Sequence, residues 1–117
     1  MSTETVEQVY IPLILERLKP LRPYKIILFG SHAYGDSHAE SDIDLMVVLD
    51  TDEIPQTFEE NLRNKLLVRD ALWDLNSDVS IDLIVHTRPM YKKFVDMDSM
   101  FAREITQRGK VLYDSAR

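Results

Sequence analysis

The sequence predicts an α/β (α+β) fold, a small mixed β-sheet flanked by helices, on three observations. Short apolar runs of strand character at 24–29, 43–49 and 79–86 alternate with longer stretches at helical spacing, and strands that alternate with helices make a sheet covered by helices. About thirty residues with their own helix separate the second run from the third, as a parallel pair requires, and that crossover should be right-handed. Gly30-Ser31 closes the first run and Asp42-Ile43-Asp44 opens the second. For those two features to act together the first strand must end where the second begins, so the two are expected to be antiparallel.

The elements follow in order. Ser2 and Thr3 offer an N-cap, Glu4 and Glu7 suit a first turn, and Val6, Tyr10, Leu13 and Ile14 recur at helical spacing, with Pro12 a point of bending. Pro20 and Pro23 end this helix, and Gly30 stops the strand that follows. Residues 31–41 are polar and turn-rich and read as a loop entering a central strand at 43–49. Residues 56–75 hold no Gly or Pro and set Phe58, Leu62, Leu66, Leu67, Ala71, Leu72 and Leu75 near one helical face. A third strand at 79–86 precedes a helix at 97–108 capped by Gly109, and 110–113 adds a short edge strand.

A chain of 117 residues has the size of one domain, so 1–117 is read as a single unit. Its unbroken apolar runs reach only five residues, at 45–49, far short of a membrane span. The amino terminus carries acids where a secretory signal needs bases, and there are no cysteines, so the expected compartment is a reducing cytoplasm. The absence of cysteine also excludes disulfides, thiolate zinc sites and cysteine nucleophiles. A net charge of -6 opposes broad binding to nucleic acid. An anion site assisted by cations stays open, because metal ions reverse the local field of an acidic cluster.

Chemistry concentrates between Gly30 and Asp82. Asp42 and Asp44 lie two positions apart on a strand and share a face, and on the third strand Asp82 enters an otherwise apolar run. If those strands are parallel neighbours, the three acids meet at one edge of the sheet. Two like charges about 4 Å apart repel by roughly 4 kcal/mol at an effective dielectric of about 20, so a cation is expected among them. Hard oxygen ligands suit Mg²⁺, and two such ions clamp the attacking and leaving oxygens of an in-line displacement. Gly30 lets a phosphate approach the backbone, and the Ser31 hydroxyl with nearby N–H groups can hold a phosphate tail.

The stretch GSHAYGDSHAESDIDL, with Asp82 in SIDLIV, resembles the minimal nucleotidyltransferase domains of the DNA polymerase β-like superfamily: G-S, about ten residues, D-x-D, then a third acid on a later strand. RGKVLYD near the end resembles the family's usual ending. The resemblance implies the polymerase β-like nucleotidyltransferase fold, with Asp42 and Asp44 as ligands of two Mg²⁺ ions. It makes Asp82 a ligand of one ion that also helps activate an acceptor hydroxyl, and Gly30 and Ser31 the holders of the β- and γ-phosphates of ATP or another nucleoside triphosphate. Stand-alone proteins resembling this one are typically antitoxins that adenylylate a tyrosine of a partner HEPN-type toxin. Many relatives carry an arginine between the serine and the second glycine, where this chain has His32, Ala33 and Tyr34. A binding module that neutralises its partner by contact alone, and a transferase to a small molecule, are the rival readings.

Blander readings hold elsewhere. Gly35 is a turn glycine, and Ser31 alone could simply cap a turn. His32, His38 and His86 make no zinc pattern and are read as surface or satisfied histidines. Asp36, His38, Glu40 and Asp42 alternate as in a calcium loop, but Ser41 and Val47 stand where that loop needs glycine and glutamate. Trp73, Leu72 and Leu75 are expected in the core, as are Met90, Phe94, Met97, Met100 and Phe101, a group that could otherwise face a protein partner.

Overall fold

The computed structural model describes residues 5–35, 37 and 41–116. Thr5 opens helix α1 (Val6–Leu18) through a reciprocal cap: its hydroxyl accepts from the Gln8 N–H at 3.1 Å, and the Gln8 side chain accepts from the Thr5 N–H at 2.9 Å. That satisfies two donors a helix start leaves free. The expected caps Ser2 and Thr3 lie outside the described residues. A 3₁₀ turn at Lys19–Leu21 and a left-handed Arg22 (φ 50°) lead into strand β1 (Pro23–Phe29). Then come α2 (Ser31–Tyr34), β2 (Ile43–Leu49), α3 (Phe58–Ala71), β3 (Ile81–Thr87), α4 (Arg88–Met97), α5 (Met100–Arg103), a wide π turn at Glu104–Arg108 and β4 (Lys110–Asp114).

The strands form one mixed sheet in the order β3-β2-β1-β4. β1 is antiparallel to both β2 and β4, and β2 is parallel to β3 across the α3 crossover. β2 sits next to the centre, so its IDLMVVL run is buried on both faces and reads as continuously apolar rather than alternating. One face, with Ile26, Leu28, Leu45 and Val47, packs against Ile14 and Leu18 of α1 and Val68 of α3. The other, with Ile27, Phe29, Met46 and Val48, packs against Ile105 of the π turn and Tyr91 and Phe94 of α4.

Five expectations need correction. Residues 31–34 are a one-turn helix rather than loop. α4 has no counterpart in the sequence reading, although Thr87 before it and Pro89 in its first turn are a helix start. The face expected to point inward from residues 56–75 is largely at the surface: Phe58 is 78% exposed, and Leu62, Leu66 and Leu67 are also exposed. α3 covers the edge strand β3, so only its far end, through Val68, and the following Leu72 and Leu75 reach the core. Trp73 is exposed at 60%, with the Arg69 guanidinium 5.3 Å from its ring centre. The late aromatic and methionine group divides. Phe101 stacks edge-on against Phe29 and Phe94, with centroids 5.8 and 5.9 Å apart, while Met97 and Met100 face solvent. Among the described residues no helix is long and apolar enough to cross a membrane.

Candidate active site

Two registers converge at one edge of the sheet. Phe29, the last residue of β1, pairs with Asp44, and Asp44 pairs with Asp82 on the parallel neighbour. Paired residues point to the same face, as do residues two apart, so Asp42, Asp44 and Asp82 share the face that carries Phe29 and Met46. The chain leaves β1 through Gly30, whose φ of +77° few side-chain-bearing residues adopt. A Cβ there would also run into the Asp44 carboxylate, with Asp44 Cγ at 3.1 Å and Cβ at 3.3 Å. The glycine is thus required twice, by backbone shape and by the acid pressed against it.

The electrostatics report the same convergence. Burial first, then the charges of Asp82 and Asp42 and a hydrogen bond with Asp82, push the Asp44 carboxyl above its ordinary value, against a smaller opposing pull from His32. Asp44 is half-buried, and Asp42 and Asp82 are exposed. Carboxyls that compensate their repulsion by sharing a proton are a donor set a divalent cation can take over, since it supplies the missing positive charge. The three acids fit such a cation in ligand chemistry. Their side chains are not drawn in around a point, however, and no group of three acids or histidines among the described residues has metal-binding spacing.

After Gly30, the turn is held by Ala33 N–H and Tyr34 N–H donating to the Gly30 carbonyl at 3.0 and 3.2 Å, and Gly35 ends it in the left-handed region at φ +84°. His32 is 3% exposed. Its Nε2 lies 2.9 Å from the Ser41 carbonyl, one residue before Asp42, and its Nδ1 lies 2.9 Å from Glu7 Oε1 on α1, too oblique for a conventional hydrogen bond. Ser37 Oγ donates to the same Glu7 oxygen at 3.1 Å. Burial pushes the Glu7 carboxyl up, but the close contact of the His32 ring, the hydrogen bond from Ser37 and the His32 charge bring it below its ordinary value overall. His32 is thus buried, with Nε2 against the Ser41 carbonyl and Nδ1 in contact with Glu7 but without a hydrogen bond, rather than the surface or satisfied histidine the sequence suggested. Glu7 was read only as a first-turn acid, and nothing in its local sequence points to a partner 25 residues away. His38 lies outside the described residues, and His86 sits at the far end of β3, where burial lowers its pKa.

A sizeable cavity lies elsewhere. About 700 Å³ in volume, it is lined by Ile54, Phe58, His86, Met90, Phe94 and Met97, among others, at the end of β3 remote from Asp82. A smaller hollow of about 220 Å³ borders Asp82 and is flanked by Lys65 and Arg69 of α3.

A mixed sheet that sets three acids against a glycine turn defines a class: enzymes that transfer a phosphorus-centred group with carboxylate-held metal. Residues 14–117 match the family Polymerase beta, Nucleotidyltransferase, and the chain belongs to that family, as a minimal nucleotidyltransferase domain. It is 38% identical over 89 residues to a Methanocaldococcus jannaschii protein named "Putative protein adenylyltransferase MJ0604", covering 76% of this chain and 77% of the other. A second protein of that organism, named "Putative protein adenylyltransferase MJ0141", is 30% identical over 81 residues, covering 69% and 77%. Solved structures share the fold. A Sulfolobus solfataricus protein described as "a putative nucleotidyltransferase" matches all of this chain and 95% of its own at a TM-score of 0.55 and 14% identity. A toxin-antitoxin structure with AMP-PNP matches 87% and 71% at 0.51 and 22% identity. Enzymes of this family work with a divalent metal.

Proposed function

We propose that this nucleotidyltransferase moves AMP from ATP to a hydroxyl of a partner protein, a tyrosine of a HEPN-type toxin, and so acts as an antitoxin. The observation that carries the chemistry is the pairing of Asp44 with Asp82 across β2 and β3, with the Asp44 carboxylate pressed against the Gly30 turn. The choice of a protein acceptor is supported by the names of the two relatives, and the antitoxin role by the toxin-antitoxin neighbour.

Asp42 and Asp44 would hold two Mg²⁺ ions and Asp82 one of them. When bound, the metal neutralises the charge that triphosphate and carboxylates bring together. The Gly30-Ser31 turn holds the β- and γ-phosphates, with the Ser31 hydroxyl donating. Asp82, exposed on the same face, accepts the proton of the incoming hydroxyl. That oxygen attacks the α-phosphorus, the bond between the α-phosphorus and the bridging oxygen breaks, and pyrophosphate leaves.

The test is incubation of the purified chain and its candidate partner with α-labelled ATP and Mg²⁺. Label on the partner that disappears with Asp42→Asn is expected. Full neutralisation of the partner by Asp42→Asn without label would replace the enzyme with a contact-only antitoxin. Label on a small hydroxyl compound and none on protein would move the acceptor to that class.

A further inference from the structure

We propose that Arg108, seated on the ring of Tyr34, is the cation that receives the terminal phosphates of the donor nucleotide. The proposal rests on the nucleotidyltransferase reading above and assigns that site a residue from the other end of the chain.

The argument starts from the route of the backbone. β4 runs antiparallel to β1 with Lys110 opposite Leu28. Arg108 is two residues before Lys110, and Gly30 is two after Leu28. The chain therefore arrives at the glycine turn from the flank of β1 opposite to β2 and its carboxylates. Gly109 makes that approach close: a Cβ there would overlap the Ile105 carbonyl and sit 2.9 Å from Ile27 Cγ2 and 3.2 Å from the Leu28 carbonyl. No larger residue leaves Arg108 this near the turn.

The side chain is also held in place. The Arg108 guanidinium lies 4.0 Å from the centre of the Tyr34 ring, a stacking distance for a cation on an aromatic face. Tyr34 ends the short helix that Ser31 begins, and its hydroxyl is buried, so the ring is a fixed platform. Arg17, Arg88 and Arg103 each spend their charge on nearby acids, Asp74, Asp50 with Asp52, and Asp98. Arg108 pairs with no carboxylate among the described residues and is exposed. Its donors are thus stacked, solvated and uncommitted beside a turn that a triphosphate tail is to occupy. A planar guanidinium that can donate to two oxygens at once suits a phosphate better than an ammonium does. Among the described residues, His32, also basic and at the turn, is enclosed between Glu7 and the Ser41 carbonyl and cannot serve.

The test measures binding of Mg·ATP and of AMP to the intact chain by calorimetry, with no turnover required. Arg108→Ala should weaken Mg·ATP about tenfold or more while changing AMP less than about twofold, because a charge-assisted hydrogen bond to phosphate is lost and the nucleoside contacts are not. Arg108→Lys should recover part of the loss, and Tyr34→Leu should weaken Mg·ATP less than Arg108→Ala does. Tyr34→Phe keeps the ring and should bind as wild type. Arg108→Ala binding Mg·ATP as tightly as wild type, or losing AMP as much as ATP, would overturn the assignment and leave the nucleotidyltransferase reading standing. Wild type that binds no triphosphate with Mg²⁺ would sink that reading itself.

Discussion

The two ends of the β2–β3 pair are built for different tasks. At the start, Asp44 and Asp82 lie side by side against Gly30, and a hollow of about 220 Å³ borders Asp82. At the finish, His86 opens into a cavity of about 700 Å³ walled by Phe58, Phe94 and Met97. Volume marks where apolar side chains leave a gap, whereas chemistry is marked by groups that repel each other and are nonetheless held together. Here the two do not coincide, and the charged end carries Gly30-Ser31 and Asp42-Ile43-Asp44.

Substitutions can break or sharpen that contrast. Asp44→Asn should lower nucleotide transfer at least about 10³-fold, since on the proposed function several kcal/mol of transition-state stabilisation depend on acids that hold the metal. Met97→Ala at the other end should stay within about twofold. Comparable losses at both ends, in a transfer assay, would dissolve the distinction. Gly30→Ala should be the most damaging single methyl. It meets a positive φ and the Asp44 carboxylate together and should cost roughly 2 kcal/mol or more of stability, read by urea melts.

The third prediction is a pH dependence. Asp44 titrates above its ordinary value of 3.8, so the native state holds this proton more tightly than the unfolded chain does. Stability linked to Asp44 is therefore fully present below the ordinary carboxylate range and is lost as pH rises through the raised value. In EDTA at neutral pH, Asp44→Asn should melt a few degrees above wild type, with the gap closing as the pH falls toward about 4. A gap of opposite sign, or one independent of pH, would mean that neither burial nor the neighbouring acids disfavour the ionised Asp44 carboxyl. The smallest effect belongs to Phe58→Ser: as this ring is 78% exposed, stability should move by no more than about 0.5 kcal/mol.

The sheet and its acids were legible because strand periodicity is two. Spacing alone put Asp42 and Asp44 on one face, and the need for Gly30 to meet them made the first strand pair antiparallel, as it is. What failed to show were contacts that owe nothing to period. The α3 stripe from Phe58 to Leu67 has helical spacing yet covers only an edge strand, so periodicity correctly gave the helix and misplaced its burial. Trp73 was assigned to the core by its size, but it lies just past the end of α3, where Arg69 covers its ring. The tie from Glu7 to His32 and the stack of Arg108 on Tyr34 join residues far apart in the chain, and only the folded path brings them together. α4 was missed because its strongest sign, Pro89, was not weighed as a helix opener.

Placing the acids on a sheet edge has a consequence for who can be modified. Asp42 and Asp82 stand in contact with solvent, so, on the proposed function, none of the described residues bars a hydroxyl borne on something as bulky as a folded domain from coming up to them. Water has the same right of entry. Fidelity then falls to whatever body docks over that rim, which must bring its own hydroxyl and, in settling, shut the bulk liquid out.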